Sequence, residues 1–462
     1  MKTSADRSEL FSNAPIPKAV ATLAVPTVLS MLVTIVYNMA DTFFVGQTGD
    51  PNQVAAVSLA TPVFLLMMAI GNMFGVGGSS EISRALGAGK AGRVRHISSF
   101  CFFGSITAGL VMIPLFLLGM PVILFLIGAS PDTYDFAREY LVYIAWGAPF
   151  VVLSSAFSNV IRGEGAAGPA MFGMMLGTVV NIVLDPIMIL SMDRGVAGAA
   201  IATVIGNISS VAYYLLYLRG KSTILSVRPK DFQMGNRILF GVVTIGLPAT
   251  ITNILMSLSN VVLNNFLAHY GDTAIAAMGV AMKANMLVVF LQMGIAMGVQ
   301  PLVGYNFGAH HFQRMRKAVF FALSCTLVIG LALTVIYFFH TARLVGFFID
   351  DSQVIDAGVP MLRALMISGP FMGVLFVLNF SLQAMGKAVP SLILALSRQG
   401  LVFLPLLFIL DGAFQLKGII YAQPVADVFS VLLAIGLFFG ITRKLKEAGE
   451  KEPEETTFQR AS

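Results

Sequence analysis

Apolar residues in this chain gather into twelve long runs separated by short polar breaks. Each run holds about 20 residues or more, the length an α-helix needs to cross a bilayer's hydrocarbon core. Their limits fall near 18–46, 53–83, 94–120, 136–161, 168–190, 195–218, 237–268, 273–304, 314–340, 355–384, 389–411 and 418–441. Gly and Pro are frequent inside the runs, which membrane helices tolerate because neighbouring segments re-satisfy the backbone. The pattern predicts an all-α polytopic membrane protein with twelve transmembrane helices.

The runs form two sets of six. Pro26, Asn38 and Gly49–Asp50 match Pro248, Asn260 and Gly271–Asp272 at a spacing of 222 residues. After one gap the spacing is 221, pairing Gly87 with Gly308, Pro149 with Pro370, Gly165 with Gly386 and Pro169 with Pro390. Six is even, so both halves insert in the same sense and a pseudo-two-fold axis along the membrane normal relates them. Two such lobes around a midplane site are a transporter plan. The expected divisions are a segment 1–17, an N-lobe 18–218, a linking loop 219–236, a C-lobe 237–441 and a tail 442–462.

Composition agrees. Hydrophobic residues make up 57% of the chain and charged residues 11%, against about 25% charged in a soluble domain. The net charge of +6 does not imply nucleic acid, because the basic residues sit in short loops. Arg84, Lys90, Arg93, Arg95, Arg162, Arg219, Arg228, Lys230, Arg314, Arg316, Lys317 and Lys387 crowd the loops on one side; Arg194, Arg343 and Lys417 lie on the other. The positive-inside rule then places both termini in the cytoplasm of a cell carrying this chain in its plasma membrane. Residues 1–17 are polar and lack the apolar core of a cleavable signal. The acidic stretch from Glu447 to Ser462 reads as a solvated end. Cys101 and Cys325 offer no disulfide framework, and neither they nor His310 and His311 have zinc spacing. No nucleophile–base or metal constellation lies inside the spans, so an enzyme is not expected and no cofactor is implied.

The polar residues inside the runs carry the chemistry. Asp41 comes late in the first run and Asp185 late in the fifth. An ionised Asp in hydrocarbon costs a few kcal/mol or more, so such residues usually face a polar cavity. Asn38 lies three residues before Asp41 and Asn181 four before Asp185, on the same helical faces. Both runs point outward, so both carboxylates belong in the outer half of the membrane. Tyr37, Asn159, Asn181, Thr203 and Asn207 lie at compatible depths, although a buried Asn also commonly makes an interhelical hydrogen bond worth about 1 kcal/mol.

The repeat does not copy these acids. Asp41 falls opposite Leu263, Asp185 opposite Leu406, and Asp427, near mid-membrane in the twelfth run, opposite Gly206. Asn38, Asn159, Asn207 and Asp427 are candidates for lining a substrate cavity. Glu81, near a helix end, is expected to pair with Arg84. Lys283 and Arg398 read as buried cations; the expectation is a structural pair, Arg398 with Asp427. An unneutralised cation would repel cationic substrates.

NMADTFFVG in the first run, RGEG at Arg162–Gly165, NIVLDPI in the fifth run and QAMGKAVP at Gln383–Pro390 resemble the multidrug and toxic compound extrusion (MATE) transporters over roughly residues 15–445. The resemblance implies export of amphipathic, often cationic drugs by antiport with H+ or Na+, and a monomer. It also implies that Tyr37, Asp41, Asn181, Asp185 and Thr203 match the N-lobe ion-coupling residues of the prokaryotic branch similar to the DNA-damage-inducible type. Asp41, Asn181, Asp185 and Thr203 would be the metal ligands if sodium is the ion. The acids of the other branch's C-lobe are replaced here by Asn260, Asn264, Asn265 and Asn379. A flippase for lipid-linked precursors shares this general plan, but its cavity should be more cationic.

Overall fold

The computed structural model describes residues 4–220 and 223–450, without the side chains of residues 4, 5, 38, 41, 42, 236 and 444–450. The side chains of Asn38 and Asp41, and the tail from residue 451, therefore lie outside the described residues. Helix α1 (Ser4–Ser12) precedes six N-lobe helices: α2 (Ile16–Gly46), α3 (Pro51–Gly87), α4 (Ala91–Leu126), α5 (Pro131–Gly163), α6 (Ala167–Pro186) and α7 (Gly195–Arg219). The C-lobe holds α8 (Asn236–Ala268), α9 (Asp272–Gly308), α10 (Phe312–Gly346), α11 (Ser352–Ala384), α12 (Ala388–Leu396), α13 (Phe403–Phe414) and α14 (Leu416–Glu450). Twelve helical segments are long and apolar enough to cross a membrane, with α12 and α13 forming one span through a π turn at Ser397–Leu401.

Helix starts follow local rules. Pro51 and Pro131 occupy first-turn positions, where a missing N–H costs nothing. The Asp50 carboxylate accepts from Asn52 N at 2.9 Å, and Asp351 accepts from Gln353 N at 2.8 Å, satisfying orphan backbone donors. The linking loop is tied to the N-lobe rather than swinging between lobes. Ser98 Oγ donates to Ser226 O at 3.0 Å, and Ser99 Oγ to Arg228 O at 3.0 Å.

Three features depart from the sequence reading. Segment 1–17 contains a helix, because contacts with both lobes bury Leu10 and Phe11. The last helix runs on to Glu450, so the first four residues of the acidic stretch, 447–450, are helical. Helices α3 and α9, with 37 residues each, are about 55 Å long at 1.5 Å per residue and overrun the hydrocarbon.

That excess length serves the lobe–lobe contact. At the end of the bundle bearing the basic loops, Gly87 of α3 lies against the Tyr305 backbone and its repeat partner Gly308 lies against the Arg84 backbone. A Cβ at either position would overlap the facing carbonyl, so only glycine allows this symmetric crossing. Ala69 O accepts from Thr250 Oγ1 at 3.0 Å, Ser80 Oγ donates to Gln383 O, and Gly298 sits against Ala24. One hydrophobic cluster is built from both lobes here, joining Leu10, Phe11, Leu23 and Ala24 to Leu302, Val303 and Leu382. Towards the opposite end Val36, Met39 and Phe43 of α2 and Ile254, Leu258 and Val261 of α8 are exposed. The lobes are closed at the basic end, whereas in the other half each hydrophobic cluster belongs to one lobe alone.

Candidate ion and substrate sites

The N-lobe site begins with glycine. Gly177 of α6 and Gly206 of α7 face each other so closely that a Cβ on either would lie 2.6 Å from the other's carbonyl oxygen. This approach sets Asn181 and Asp185, one and two turns further along α6, beside Thr203 of α7. Asn181 Nδ2 donates to Asp185 Oδ1 at 3.3 Å and to Thr203 Oγ1 at 3.4 Å. The Tyr37 hydroxyl of α2 lies 3.5 Å from Thr203 Oγ1. Four of the five N-lobe residues singled out in the sequence thus meet, and Asp41 occupies the α2 position one turn beyond Tyr37.

Burial gives the cluster its chemistry. Asp185 is 0% exposed, and Asn181 and Thr203 are 2% exposed each. A carboxylate with no water contact pays several kcal/mol to hold its charge, so a bound cation is favoured. Asn181 Oδ1 is buried and accepts no hydrogen bond from a described residue. With Thr203 Oγ1 and the Asp185 carboxylate it forms a set of hard oxygens, which suits sodium as well as a proton suits the carboxylate alone. Pro186 cannot donate to Ile182 O, and the chain continues as a π turn over Ile187–Ser191. Asp185 therefore stands where the helical ladder is already broken, a frequent position for functional side chains.

Two other candidates have structural partners. Asn159 Nδ2 donates to Asn72 Oδ1 at 3.1 Å and to Ser155 O at 3.0 Å, and its Oδ1 accepts from Arg162 Nη1 at 3.0 Å. Asn207 Nδ2 donates to Thr203 O, one turn back on its own helix, at 2.9 Å.

In the C-lobe, Arg398 Nε donates to Asp427 Oδ1 at 3.0 Å, the pairing expected from the sequence. Gln423 Nε2 donates to the same oxygen at 2.8 Å, and Ser368 Oγ to Oδ2 at 3.0 Å. Glu81 accepts from Arg84 at 2.6 Å and also from Arg93 at 3.2 Å. This ion cluster lines the lobe–lobe seam, facing Gly241 of α8 and Gly386 of the turn before α12. Lys283 corrects the sequence reading: it is exposed, not a buried cation, and has no salt bridge to a described residue.

Sequence reasoning missed a third buried acid. Glu164, in the turn between α5 and α6, is 2% exposed. It accepts from Tyr217 Oη, from Thr223 Oγ1 at 2.9 Å and from Ile224 N at 3.3 Å, while Arg7 Nη1 of α1 lies 3.5 Å away. Burial pushes its carboxyl above the usual carboxylate range, with Arg7 and the hydrogen bonds opposing. Beside it, the Phe11 ring covers Gly165, whose φ of +85° suits glycine alone. Phe11 also stacks on Tyr305 of the C-lobe with centroids 4.9 Å apart. Its carbonyl accepts from Asn306 Nδ2 at 3.2 Å and Arg314 Nε at 2.8 Å. Helix α1 is thus a strap across both lobes. The only signal in the sequence was RGEG with Leu10–Phe11 in an otherwise polar start.

A two-lobe bundle of twelve spans, shut at one end and with a buried carboxylate site in one lobe, defines a secondary transporter of the alternating-access type. The MatE family model matches residues 26–187 and 248–439; the chain belongs to the multidrug and toxic compound extrusion family. It is 32% identical over 435 residues to the multidrug export protein MepA of Staphylococcus saprophyticus, covering 94% of this chain and 96% of the relative. The same identity holds over 437 residues with MepA of Staphylococcus aureus, again covering 94% and 96%. A solved structure described as the outward-facing conformation of a multidrug resistance MATE family transporter superposes with a TM-score of 0.91 at 25% identity, over 97% of this chain and 100% of that one.

Proposed function

We propose that this protein is a multidrug exporter that moves amphipathic, often cationic small molecules out of the cell by antiport with an inward-moving cation. The observation that carries the reading is the Tyr37–Thr203–Asn181–Asp185 cluster, which gathers hard oxygens around a carboxylate that is 0% exposed. The basic end, on this reading, faces the cytoplasm, and the opposite end faces outward. Cation loading from outside neutralises Asp185 together with Asp41, the acid one turn beyond Tyr37 on α2. Neutralisation favours closure of the outer end, and inward release resets the site. The protein acts as a monomer with two lobes.

Proteoliposomes containing the protein and a fluorescent organic cation test this directly. Proton and sodium gradients are imposed separately. Dye movement against its own gradient, driven by one ion and abolished when that gradient is collapsed, is the expected result. Scrambling of a lipid-linked pyrophosphate without dye movement would overturn the reading.

A further inference from the structure

At the 221-residue spacing Gly177 corresponds to Arg398 and Gly206 to Asp427. Where the N-lobe brings two bare backbones into contact, the C-lobe buries an ion pair. Asp427 lies eleven residues into α14, about 17 Å along its axis and close to mid-membrane. Desolvation largely offsets the attraction within such a pair, so stability alone is a poor reason to keep it. In the N-lobe the equivalent contact is closed by two glycines, with no ion pair at those positions. The asymmetry therefore calls for a ligand.

The two partners are not equally satisfied. Asp427, its side chain 4% exposed, has both oxygens occupied by Arg398, Gln423 and Ser368. Arg398 spends Nε on Asp427 and rests Nη2 on Met372 Sδ at 3.7 Å. Nη1 has no acceptor among the described residues, and the side chain remains 16% exposed. Its guanidinium stands 5.6 Å from the centroid of the half-buried Phe376 ring. A planar donor fork with an unused edge, beside an aromatic ring and a thioether, matches a carboxylate attached to an aromatic body.

Resting on the efflux reading above, we infer that Arg398 is the residue that recognises the carboxylate of aromatic amphiphilic acids. Asp427 is the resting counter-charge: it neutralises Arg398 when no acid is bound, so that cationic substrates meet no net repulsion from the C-lobe.

The test compares an aromatic amino acid derivative, fluorescent and carrying a free carboxylate, with its methyl ester, both exported by the full chain in proteoliposomes. The readout is the acid-to-ester ratio, which discounts any general loss of activity. Arg398→Gln combined with Asp427→Asn removes both charges while keeping shape, and should lower the ratio about tenfold or more. A ratio unchanged from wild type overturns the assignment. Should that variant not reach the membrane, Asp427→Asn alone decides, since it leaves Arg398 charged and unneutralised and should raise the ratio. A ratio that stays level or falls in Asp427→Asn overturns the assignment as well. Failure of the wild-type protein to export even the ester would instead defeat the efflux reading.

Discussion

Truncating Phe11 to Ala should unlock the basic end. The ring is 1% exposed, stacked on Tyr305 from one lobe and seated over Gly165 from the other. Removing a buried phenyl group costs about 3–5 kcal/mol, and a helix at a bundle surface belongs at the lower figure, about 3. About half of that loss falls on the state closed at the basic end, because the Tyr305 wall of the Phe11 pocket is present only when the lobes meet, while Gly165 stays with the N-lobe. The closed-to-open ratio should therefore drop on the order of tenfold. Lys90 and His311, exposed and in equivalent loops of the two lobes, are suitable spin-label positions once Cys101 and Cys325 are replaced. Pulsed electron–electron resonance should show the Phe11→Ala distribution moving to longer distances. An unchanged distribution, under conditions where the wild-type protein populates both states, would refute the strap.

Replacing Asp185 by Asn, or Asp41 by Asn, should abolish most ion-driven dye transport, and Asp185→Asn should keep thermal stability at or above wild type, since a neutral amide escapes the desolvation cost of a buried charge; wild-type rates in both variants would falsify the coupling site. Gly308→Val should cut transport more than about tenfold by forcing α9 off the Arg84 backbone, whereas Gly279→Ala, a position with open space around it, should not; equal rates in radiotracer uptake would contradict the crossing. Glu164 supplies a pH prediction. Its carboxyl holds a proton more tightly in the packed site than in water, so this group's contribution to folding is fully present at acid pH and is lost as pH rises through the raised pKa. The difference in thermal stability between wild type and Glu164→Gln, followed across pH, should shift against wild type towards the alkaline end; a shift in its favour there would reverse the sign.

What was legible in the sequence was what one helix or one depth argument can encode. The Asn181–Asp185 bond is an i,i+4 contact, fixed once residues 167–186 are helical. Arg398 and Asp427 were matched as opposite charges on neighbouring antiparallel spans, and the structure joins them. Lys283 misled because an apolar neighbourhood in sequence is not burial in space; its side chain is exposed. Glu164 could not be read at all, for its partners come from positions 7, 217, 223 and 224, and no local pattern brings those together. The last turn of α3 was equally hidden: hydropathy ends near 83, yet the helix continues to Gly87 because its end is held by the other lobe. The π turn at Ser397–Leu401 has no prolines within it, so composition gave no warning.

The strap also fixes an order of assembly. Arg7 and Phe11 leave the ribosome first, but Glu164 follows 157 residues later and Arg314 follows Phe11 by 303. Such distant pairings are the slow ones in folding. Throughout synthesis of the N-lobe, then, α1 has only half of its seat, and the Phe11 carbonyl waits for donors on spans not yet made. The first helix of the chain is consequently among the last to find its place, and a nascent protein carries its own marker of completion: α1 is fully covered only after both lobes have been inserted and brought together.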